Sequence, residues 1–367
     1  MILFLTLNTF DATGGIEKVC RIAGKAFYEY GIENNEQILI KSLHDSEKAA
    51  YNNGYFPRNI FKGYKGNIPF YIFKTALIGR SARVVILSHV NLLPVGWLIK
   101  FLSPKTKLIL ITHGIEIWNP LKIGILKMLR KCDRILAVSS YTRNRIIEVH
   151  KIAPEKCCVL NNCLDPFLQL PQKNSNLDLR ERYGFGKEDK IIFTLTRISA
   201  EERYKGYDKV IEALALLQEK HPSAKYLISG SADATEKKKI IDQVKSLKIE
   251  DKVVLSGFIA ETEIADHFQL ADVYIMPSKK EGFGIVFIEA MFYKLPVIAG
   301  NTDGSTDALL SGKLGILVDP DNIITIKDSL DKILSGRNSF IPDPKILMSN
   351  FGYQAYKEHI ENLVCRI

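Results

Sequence analysis

The sequence lacks the features that mark a membrane-spanning, disulfide-bonded or metal-binding chain. No apolar run reaches the roughly 18 residues that a membrane span needs, since polar residues and Pro94 interrupt the most apolar stretch, 84–99. The six cysteines form no CxxC pair and have no histidine cluster beside them, which favours reduced, mostly buried thiols over a metal or redox site. The apolar segment 1–7 lacks basic residues and a cleavage site, so we expect a first buried strand and a cytoplasmic protein.

Acidic residues are also absent from one long segment. Between Glu47 and Glu116 the chain has no Asp or Glu but ten Lys and Arg residues. Residues 1–165 carry 23 Lys and Arg against 12 Asp and Glu, whereas the remainder carries 27 against 29. A field of one sign attracts anions such as lipid headgroups, phosphorylated acceptors or nucleic acid, so we expect an anionic partner. The alternative is a solvated basic face.

What the sequence does contain is an alternation of short apolar strands and helical patterns. Continuous Ile-, Leu- and Val-rich runs suit parallel sheets that are buried on both faces. The predicted strands are 2–7, 37–43, 84–88, 107–112, 134–138, 158–160, 191–196, 226–229, 253–256, 273–276, 296–299 and 315–318. The predicted helices are 16–30, 92–102, 121–131, 141–150, 207–219, 236–247, 261–270, 285–293, 322–334 and 344–363.

This alternation predicts an α/β fold with two doubly wound, Rossmann-like domains facing a central cleft. A chain of 367 residues is too long for one ordinary core. The polar stretch 169–188 is the predicted linker, which leaves one domain over 1–168 and a second over 189–343.

The strongest motif, EGFGIVFIE, runs from Glu281 to Glu289, after one predicted strand and into a helix. Its glycines let the backbone approach a ligand, and the free amides near Phe283, Gly284 and Ile285 suit a phosphate. The helical rise separates the two carboxylates by roughly 8–10 Å, about the reach of a diphosphate between a sugar and a ribose. Carboxylates also accept hydrogen bonds from paired sugar hydroxyls. The alternative is a strand–turn–helix with two surface acids.

Three further signals lie at the ends of predicted strands. Arg197 and Lys205 would neutralise a diphosphate leaving group. Gly14 and Gly15 allow a tight turn and expose helix amides to an anion. His113 lies where open α/β sheets bind ligands, and it would hold a sugar hydroxyl or shuttle a proton. The alternatives are solvated side chains, an ordinary βα turn and a loop histidine.

Together and in this order, these signals resemble family 4 of the retaining glycosyltransferases, which have the GT-B fold. Most of the chain takes part, including Ala137–Thr142, Asn161–Asn162, Ser229–Ser231, Ser256–Phe258 and Gly315–Pro320. One segment departs from the family, which often has a Gly-Gly-x-x-Glu-like turn where this chain has DGSTD. Asp307 is a candidate for the missing acid, while Asp303 has no role that the sequence assigns, and the donor sugar stays open.

The resemblance implies a role for each candidate residue. The implied catalytic residues are His113, Arg197, Lys205 and Glu281, and the implied substrate-binding residues are Gly14, Gly15, Gly230, Phe258, Phe283, Gly284, Ile285 and Glu289. His113 would contact the transferred sugar, Gly15 would lie near the donor phosphates and sugar, and Glu281 would hold sugar hydroxyls. Glu289 would hold the ribose and Phe258 would border the nucleobase. Arg197 and Lys205 would bind the diphosphate, which the amides of Gly284 and Ile285 would cap.

The resemblance also implies a reaction. A hexose would pass, with its anomeric configuration retained and without a metal or other cofactor, from a UDP- or GDP-sugar to a glycan or lipid-linked glycan. Surface polysaccharide, lipopolysaccharide or glycolipid assembly is the implied setting, and segment 344–367 would return to the first domain.

The basic, apolar segment 92–107 fits an ordinary buried helix of the sheet slightly better than an interfacial helix, and our hypothesis is peripheral contact of the first domain with an anionic membrane. Two other functions stay open. One is a nucleotide-sugar epimerase of the same fold, and the other is a non-catalytic basic protein that binds membrane or nucleic acid. No nucleic-acid motif is present, and we expect no nucleic-acid partner.

Overall fold

The structure is a computed structural model that describes residues 1–50, 53–169, 171, 175–336 and 340–365. It divides into two units. Unit 1 comprises Met1–Phe167 and Asn350–Ile367, and unit 2 comprises Leu168–Ser349. In chain order, the strands are β1 (Ile2–Thr6), β2 (Ile38–Ser42), β3 (Phe61–Gly63), β4 (Val84–Leu87), β5 (Lys107–Thr112), β6 (Arg134–Ala137), β7 (Cys157–Val159), β8 (Lys190–Leu195), β9 (Ala224–Ser229), β10 (Val253–Gly257), β11 (Val273–Met276), β12 (Val297–Gly300) and β13 (Ile316–Val318).

The helices alternate with these strands. In chain order, they are α1 (Gly15–Glu33), α2 (Ile68–Gly79), α3 (Leu93–Leu102), α4 (Ile115–Trp118), α5 (Ile123–Leu129), α6 (Ser140–His150), α7 (Ser175–Tyr183), α8 (Tyr207–Ala215), α9 (Ala234–Ser246), α10 (Ile264–Leu270), α11 (Ile285–Phe292), α12 (Ser305–Ala308), α13 (Ile323–Gly336), α14 (Pro344–Phe351) and α15 (Tyr353–Ile360).

Each unit is built on a parallel sheet whose strand order reverses once. Within the described residues, unit 1 has a seven-stranded sheet in the order β3-β2-β1-β4-β5-β6-β7, and unit 2 has a six-stranded sheet in the order β10-β9-β8-β11-β12-β13. The order reverses between β1 and β4 in unit 1 and between β8 and β11 in unit 2. In open α/β sheets, ligands bind beyond the carboxyl ends of the strands at such a reversal. The predicted α/β fold class with two Rossmann-like domains is confirmed.

The strands of unit 1 are buried on both faces because helices cover each side. Successive side chains of a strand point to opposite faces. Leu3 and Leu5 therefore pack in the same cluster as residues of α2, α3, α5 and α6. Ile2 and Phe4 pack in the other cluster, with residues of α1 and α15.

The C-terminal helix α15 is fastened to α1 by polar contacts as well as by this core. Tyr353 Oη donates to Glu29 Oε2 at 2.8 Å, and Lys357 Nζ lies 2.5 Å from Glu33 Oε1. Tyr356 and Ile360 belong to the buried cluster. The last residues of the chain therefore complete the core of unit 1.

Several boundaries differ from the sequence-based predictions. Strand β3 and helix α2 were not predicted. The single helix predicted over 344–363 is wrong, because Gly352 is extended (φ −69°, ψ 153°) and separates α14 from α15. The polar stretch 169–188 contains α7, while its residues 170 and 172–174, like residues 366–367 of the C-terminal segment, lie outside the described residues. Among the helices that the structure describes, none combines the length and apolarity that would let it cross a membrane.

Candidate functional site

A largely buried ion pair joins the loops that follow β8 and β11, at the reversal of strand order in unit 2. Lys205 Nζ lies 2.5 Å from Glu281 Oε2, and the side chains are only 13% and 17% exposed. Burial lowers the pKa of Lys205, but attraction and a hydrogen bond to Glu281 outweigh it and raise that pKa above its usual value. The sequence placed both residues at the site, and the structure brings them into contact.

The loop that carries Lys205 is held against the loop after β11 by backbone contacts. The 3-10 turn Ala200–Lys205 ends at Gly206, whose φ of 80° favours glycine. A Cβ at Gly206 would lie 2.5 Å from the carbonyl oxygen of Pro277. Lys279 N donates to Tyr204 O at 3.0 Å. The cation is therefore positioned by the backbones of two neighbouring strand exits.

Asp303, which the sequence left without a role, holds the loop of Glu281 in place. Its buried carboxylate accepts from the amide of Glu281 at 2.6 Å and from the amide of Ser305 at 2.9 Å. Gly304 N donates to Glu281 O at 2.8 Å, and a Cβ at Gly304 would lie 2.0 Å from Gly282 O. Burial raises the pKa of Asp303 to about 6, against the two amide hydrogen bonds, which lower it.

The glycine-rich motif then opens α11. Gly284 has φ 83° and ψ 75°, and a Cβ there would lie 2.4 Å from a ring carbon of Phe287, so glycine is required. Phe283 is buried beside it, and Ile285 is the first helical residue. The first amides of a helix have no carbonyl partner within it, which makes this start of α11 suited to an anion.

The second acid of the motif differs from the first in its surroundings. Glu289 lies one turn into α11, on the same side of the helix as Ile285, and is 5% exposed. Glu281 lies in the preceding loop and is paired with Lys205. The motif therefore presents one carboxylate that is paired with a cation and one that is buried within the helical segment.

The other predicted residues of unit 2 lie at the exits of β8, β9 and β10. Arg197 NH1 is 2.9 Å from Glu202 Oε1, and its side chain is 66% exposed, so the two predicted cations pair with different acids. Gly230 has φ 137°, and a Cβ there would lie 1.8 Å from Thr196 O. Its amide donates to Gly257 O at 2.8 Å. Phe258 follows and is 68% exposed, so its ring is accessible for stacking by a planar group.

His113 lies at the end of β5 in unit 1, as predicted, and is oriented by the end of β4. His113 Nε2 lies 2.7 Å from the carbonyl oxygen of Ser88. A carbonyl only accepts, so Nε2 carries a proton. The backbone amide of His113 donates to Glu116 Oε1 at 2.5 Å. The ring is thus fixed at the carboxyl edge of the sheet.

A second histidine, His89, was not predicted. It follows β4 beside the reversal of strand order, and its Nδ1 accepts from Asn91 N at 3.1 Å. Burial lowers the pKa of His89, Glu116 raises it and His113 lowers it further. The rule that pointed to His113, a histidine after a buried strand, applies equally to His89.

The loop before α1 carries Gly14 and Gly15, both of which are exposed. Gly14 is extended (φ 169°, ψ 174°), so the tight turn predicted there is wrong. A Cβ at Gly14 would lie 2.5 Å from Glu17 Oε2, the end of a flexible side chain. Gly15 is the first residue of α1, where the free amides of a helix start suit an anion.

Asp45, another residue that the sequence did not single out, fixes this loop. Its buried carboxylate accepts from Thr9 N at 2.6 Å, Phe10 N at 3.2 Å and Asp11 N at 2.7 Å. The pairing spans more than thirty residues of sequence, so no local motif reveals it. Among the described residues, no group of three or more His, Cys, Asp or Glu side chains is arranged to hold a metal ion.

Comparisons with known proteins cover both units. The family model described as "Glycosyl transferases group 1" matches residues 175–358, and the model "Glycosyltransferase Family 4" matches residues 13–166. Together these matches include every predicted site residue.

Curated relatives include several sugar transferases. Mannosylfructose-phosphate synthase of Agrobacterium fabrum is 29% identical over 52% of this chain and 42% of its own length. The GDP-mannose-dependent alpha-(1-6)-phosphatidylinositol monomannoside mannosyltransferase of Mycobacterium tuberculosis is 28% identical over 65% of this chain and 63% of its own. The chain thus spans less than two thirds of the length of these two relatives. N-acetyl-alpha-D-glucosaminyl L-malate synthase of Bacillus anthracis is 25% identical over 91% of this chain and 88% of its own.

Solved structures share the fold over the whole chain. Anabaena HepE in complex with UDP and glucose superposes with a TM-score of 0.80 at 19% identity, over 100% of this chain and 99% of that one. Sucrose-phosphate synthase of Thermosynechococcus elongatus gives 0.75 at 16% identity, over 100% and 98%. Because a family model covers half of the sequence and the two units have the expected Rossmann-like folds, this chain belongs to the group 1 glycosyl transferases and has the GT-B fold.

Proposed function

We propose that this protein is a retaining, metal-independent hexosyltransferase. Its donor is a UDP- or GDP-sugar, and its acceptor is a glycan or lipid-linked glycan in surface polysaccharide, lipopolysaccharide or glycolipid assembly. The observation that carries the proposal is the largely buried Lys205–Glu281 pair, held at the strand-order reversal of unit 2 just ahead of α11. A cation fixed beside free helix amides is what a departing diphosphate requires.

The donor is assigned to the residues of unit 2. The diphosphate would lie at the start of α11, against the amides of Gly284 and Ile285 and the ammonium of Lys205. Glu281 would hold sugar hydroxyls and Glu289 the ribose, while the exposed ring of Phe258 would border the base. Arg197, Gly230 and Phe283 complete this half. Both UDP and GDP-mannose occur in the names of similar proteins, which supports a nucleoside diphosphate and leaves its base open.

The reaction is a displacement at the anomeric carbon. The bond from that carbon to the diphosphate oxygen breaks, and a bond to the acceptor oxygen forms on the same face. The departing diphosphate takes the proton of the acceptor hydroxyl, so no protein nucleophile is needed. Lys205 and the helix amides stabilise the negative charge that develops on the leaving oxygen. His113, Gly14 and Gly15 of unit 1 are assigned to the transferred sugar and the donor phosphates.

Thermal stabilisation tests the donor assignment. UDP-glucose, GDP-mannose and ADP-glucose are compared with UMP, GMP and a short DNA duplex. A ligand present at 100 times its Kd stabilises the folded state by about 2.7 kcal/mol, so one nucleotide sugar should raise Tm clearly above the others. Stabilisation by DNA alone would favour the non-catalytic alternative.

Transfer assays then distinguish the enzymatic alternatives. Incubation with the selected donor and no acceptor should leave the sugar unchanged, whereas an epimerase would return an epimerised donor. NMR of the glycoside product should show the anomeric configuration of the donor. EDTA should not alter the rate, and a rate lost with EDTA and restored by Mg²⁺ would refute metal independence.

Glu289→Ala should weaken nucleotide binding at least about tenfold, because buried hydrogen bonds to the ribose are lost. Asp328→Ala, at an exposed acid of the same unit, is the matched control and should bind as the wild type. Equal affinity in both variants would remove Glu289 from the site.

A cytoplasmic location and peripheral contact with an anionic membrane also belong to this proposal. The basic segment between Glu47 and Glu116 supports such a contact.

A further inference from the structure

The outer surface of α2 and α3 in unit 1 exposes large apolar side chains. We name it the α2–α3 face and define it by Phe70, Phe73, Leu77, Trp97, Phe101 and Leu102. Phe73 is 62% exposed and Phe101 is 70% exposed. Adjacent apolar side chains in such number on one surface mark an interaction site, whereas single exposed ones are ordinary.

The two helices that carry this face pack closely together. A Cβ at Gly79 of α2 would lie 2.7 Å from Ile99 Cδ1 of α3, so the helices approach where glycine leaves room. The inward residues Tyr71 and Ala76 of α2 and Val95 of α3 already lie in the core. The outward rings are therefore additional to what the fold of unit 1 needs.

Aromatic stripes run along both helices. Phe70, Phe73 and Leu77 follow at spacings of three and four residues on α2, so they share one side of that helix. Trp97 and Phe101 are four residues apart on α3, and their rings stack at 5.8 Å. Rings with this placement are typical of proteins that rest in the headgroup region of a bilayer.

The charged residues that α2, α3 and their connection carry have one sign. Lys74 Nζ lies 5.4 Å above the ring of Phe70, and Arg80 and Lys105 are exposed at the ends of the two helices. Lys100 is engaged with Asp133, at 2.8 Å. Neither helix, nor the segment that joins them, contains an acidic residue.

We propose that the α2–α3 face docks on the surface of an anionic lipid bilayer, with its rings at the headgroup boundary and Lys74, Arg80 and Lys105 against lipid phosphates. Anionic lipids attract each nearby cation, and apolar rings add burial that a free phosphate does not offer. A second copy of the chain is a poorer partner, because a symmetric contact through this face would set its cations against each other. The inference deepens the membrane contact of the proposed function and rests on that contact, but it does not depend on sugar transfer.

The intrinsic fluorescence of tryptophan reports the contact without any substitution. The chain has two tryptophans, of which Trp97 is 39% exposed and Trp118 is 6% exposed. Vesicles of phosphatidylcholine with 30 mol% phosphatidylglycerol (about the anionic content that draws polybasic surfaces) should shift the emission to the blue. Pure phosphatidylcholine should shift it less. No shift with either vesicle would overturn the proposal.

Co-sedimentation with the same vesicles tests the residues in the full-length protein. Phe73→Ser combined with Phe101→Ser should lower partitioning at least about tenfold, since two rings lose their burial. Lys74→Gln combined with Lys105→Gln should lower it about fivefold per charge and reduce its salt dependence. The matched control, Leu216→Ser with Ile324→Ser, alters exposed apolar residues of unit 2 and should sediment as the wild type.

Two results would refute the inference. One is equal sedimentation of the wild type and the Phe73/Phe101 variant, with both folded by thermal unfolding. The other is a wild type that does not bind vesicles but forms a dimer in analytical ultracentrifugation, while the Phe73/Phe101 variant is monomeric. That result would assign the face to a second copy of the chain. Since these assays contain no sugar donor, their failure leaves the proposed transferase activity untouched.

Discussion

Lys205 in unit 2 and Lys41 in unit 1 have their positive charges met in opposite ways. In unit 2, the largely buried ammonium of Lys205 has Glu281 as its partner, and the carboxylate of Asp303 is met by two backbone amides. In unit 1, Lys41 on β2 is 7% exposed and has no acidic partner among the described residues. The pKa of Lys41 is lowered to about 8, first by burial and then by the neighbouring Lys62.

The difference is whether the positive charge is compensated by an acidic side chain before any ligand binds. In the candidate donor site of unit 2, Glu281 compensates the charge of Lys205. The ammonium group is therefore in position before a ligand binds, and binding needs little reorganisation. Unit 1 retains uncompensated positive charge, both inside at Lys41 and outside on the α2–α3 face. Such charge destabilises the unit by itself and becomes favourable only with an anionic partner.

The largest effect should follow from breaking the pair in unit 2. Lys205→Met should lower kcat by about 10²–10³, because the leaving diphosphate loses its fixed cation. Lys280→Met is the matched control, since the ammonium of Lys280 also lies over the ring of Tyr204, whereas the ammonium that pairs with Glu281 is that of Lys205. Transfer kinetics with saturating donor provide the measurement.

Loss of stability must be separated from loss of catalysis in this test. Lys205→Met leaves the charge of Glu281 buried and alone, which destabilises the fold. The double variant Lys205→Met with Glu281→Gln removes that charge and should recover much of the lost Tm while staying slow. A single variant that transfers sugar at the wild-type rate would end the assignment of Lys205.

A smaller effect is expected from removing the unpaired charge of unit 1. The pKa of Lys41 is lower in the folded state, so the unfolded chain binds more protons between about pH 8 and 10.5, and stability rises with pH in that window. Lys41→Met should abolish this rise and increase the free energy of unfolding at pH 7 by up to about 3 kcal/mol. Urea unfolding from pH 7 to 10.5 measures both quantities.

The matched control for Lys41 is a lysine on a strand of unit 2. Lys225 on β9 lies 3.2 Å from Asp251 Oδ2, so Lys225→Met should not raise stability at pH 7. Parallel pH curves for wild type and Lys41→Met would mean that the contrast between the units is absent.

The smallest effect concerns the loop clamp. Asparagine at position 303 offers one acceptor oxygen where Asp303 offers two, so either Glu281 N or Ser305 N loses its partner, at a cost of about 1–3 kcal/mol. We expect Asp303→Asn to lower kcat/KM about tenfold. Asp307→Asn, on the adjacent helix, is the comparison variant.

The pH dependence of stability checks the clamp independently. The folded-state pKa of Asp303 is raised from 3.8 to about 6, so the folded state binds the extra proton and stability falls as pH rises from about 4 to 6. In Asp303→Asn this contribution to the slope should vanish. An unchanged slope would show that Asp303 is ionised as in water.

The sequence predicted the sheets and the position of the motif because both depend on local patterns. Buried parallel strands are continuous apolar runs, and EGFGIVFIE follows one of them. Helix α2 was missed for the opposite reason, since its apolar residues surround the whole helix and show no period of 3.6. The exposed apolar residues of α2 are its contribution to the α2–α3 face.

The candidate site was predicted as a set of residues but not as an arrangement. Lys205 and Glu281 are 76 positions apart, and the amides that Asp45 holds lie 34 to 36 positions before it. Contacts of this kind arise only when the parallel sheet brings strand exits together. The roles assigned to the twelve site residues stay predictions until the variants are measured.

The attachment of α15 to α1 has a consequence for how the protein is made. Because Tyr353, Tyr356, Lys357 and Ile360 belong to unit 1, the core of that unit is unfinished until the ribosome has synthesised α15. Unit 2 is continuous in sequence and can fold during synthesis. At that stage the first 167 residues still expose the apolar surface that α15 later covers. We therefore expect chaperones to bind unit 1, which is translated first. A stop codon just before α15 should destabilise the protein far more than the short length of the removed segment suggests.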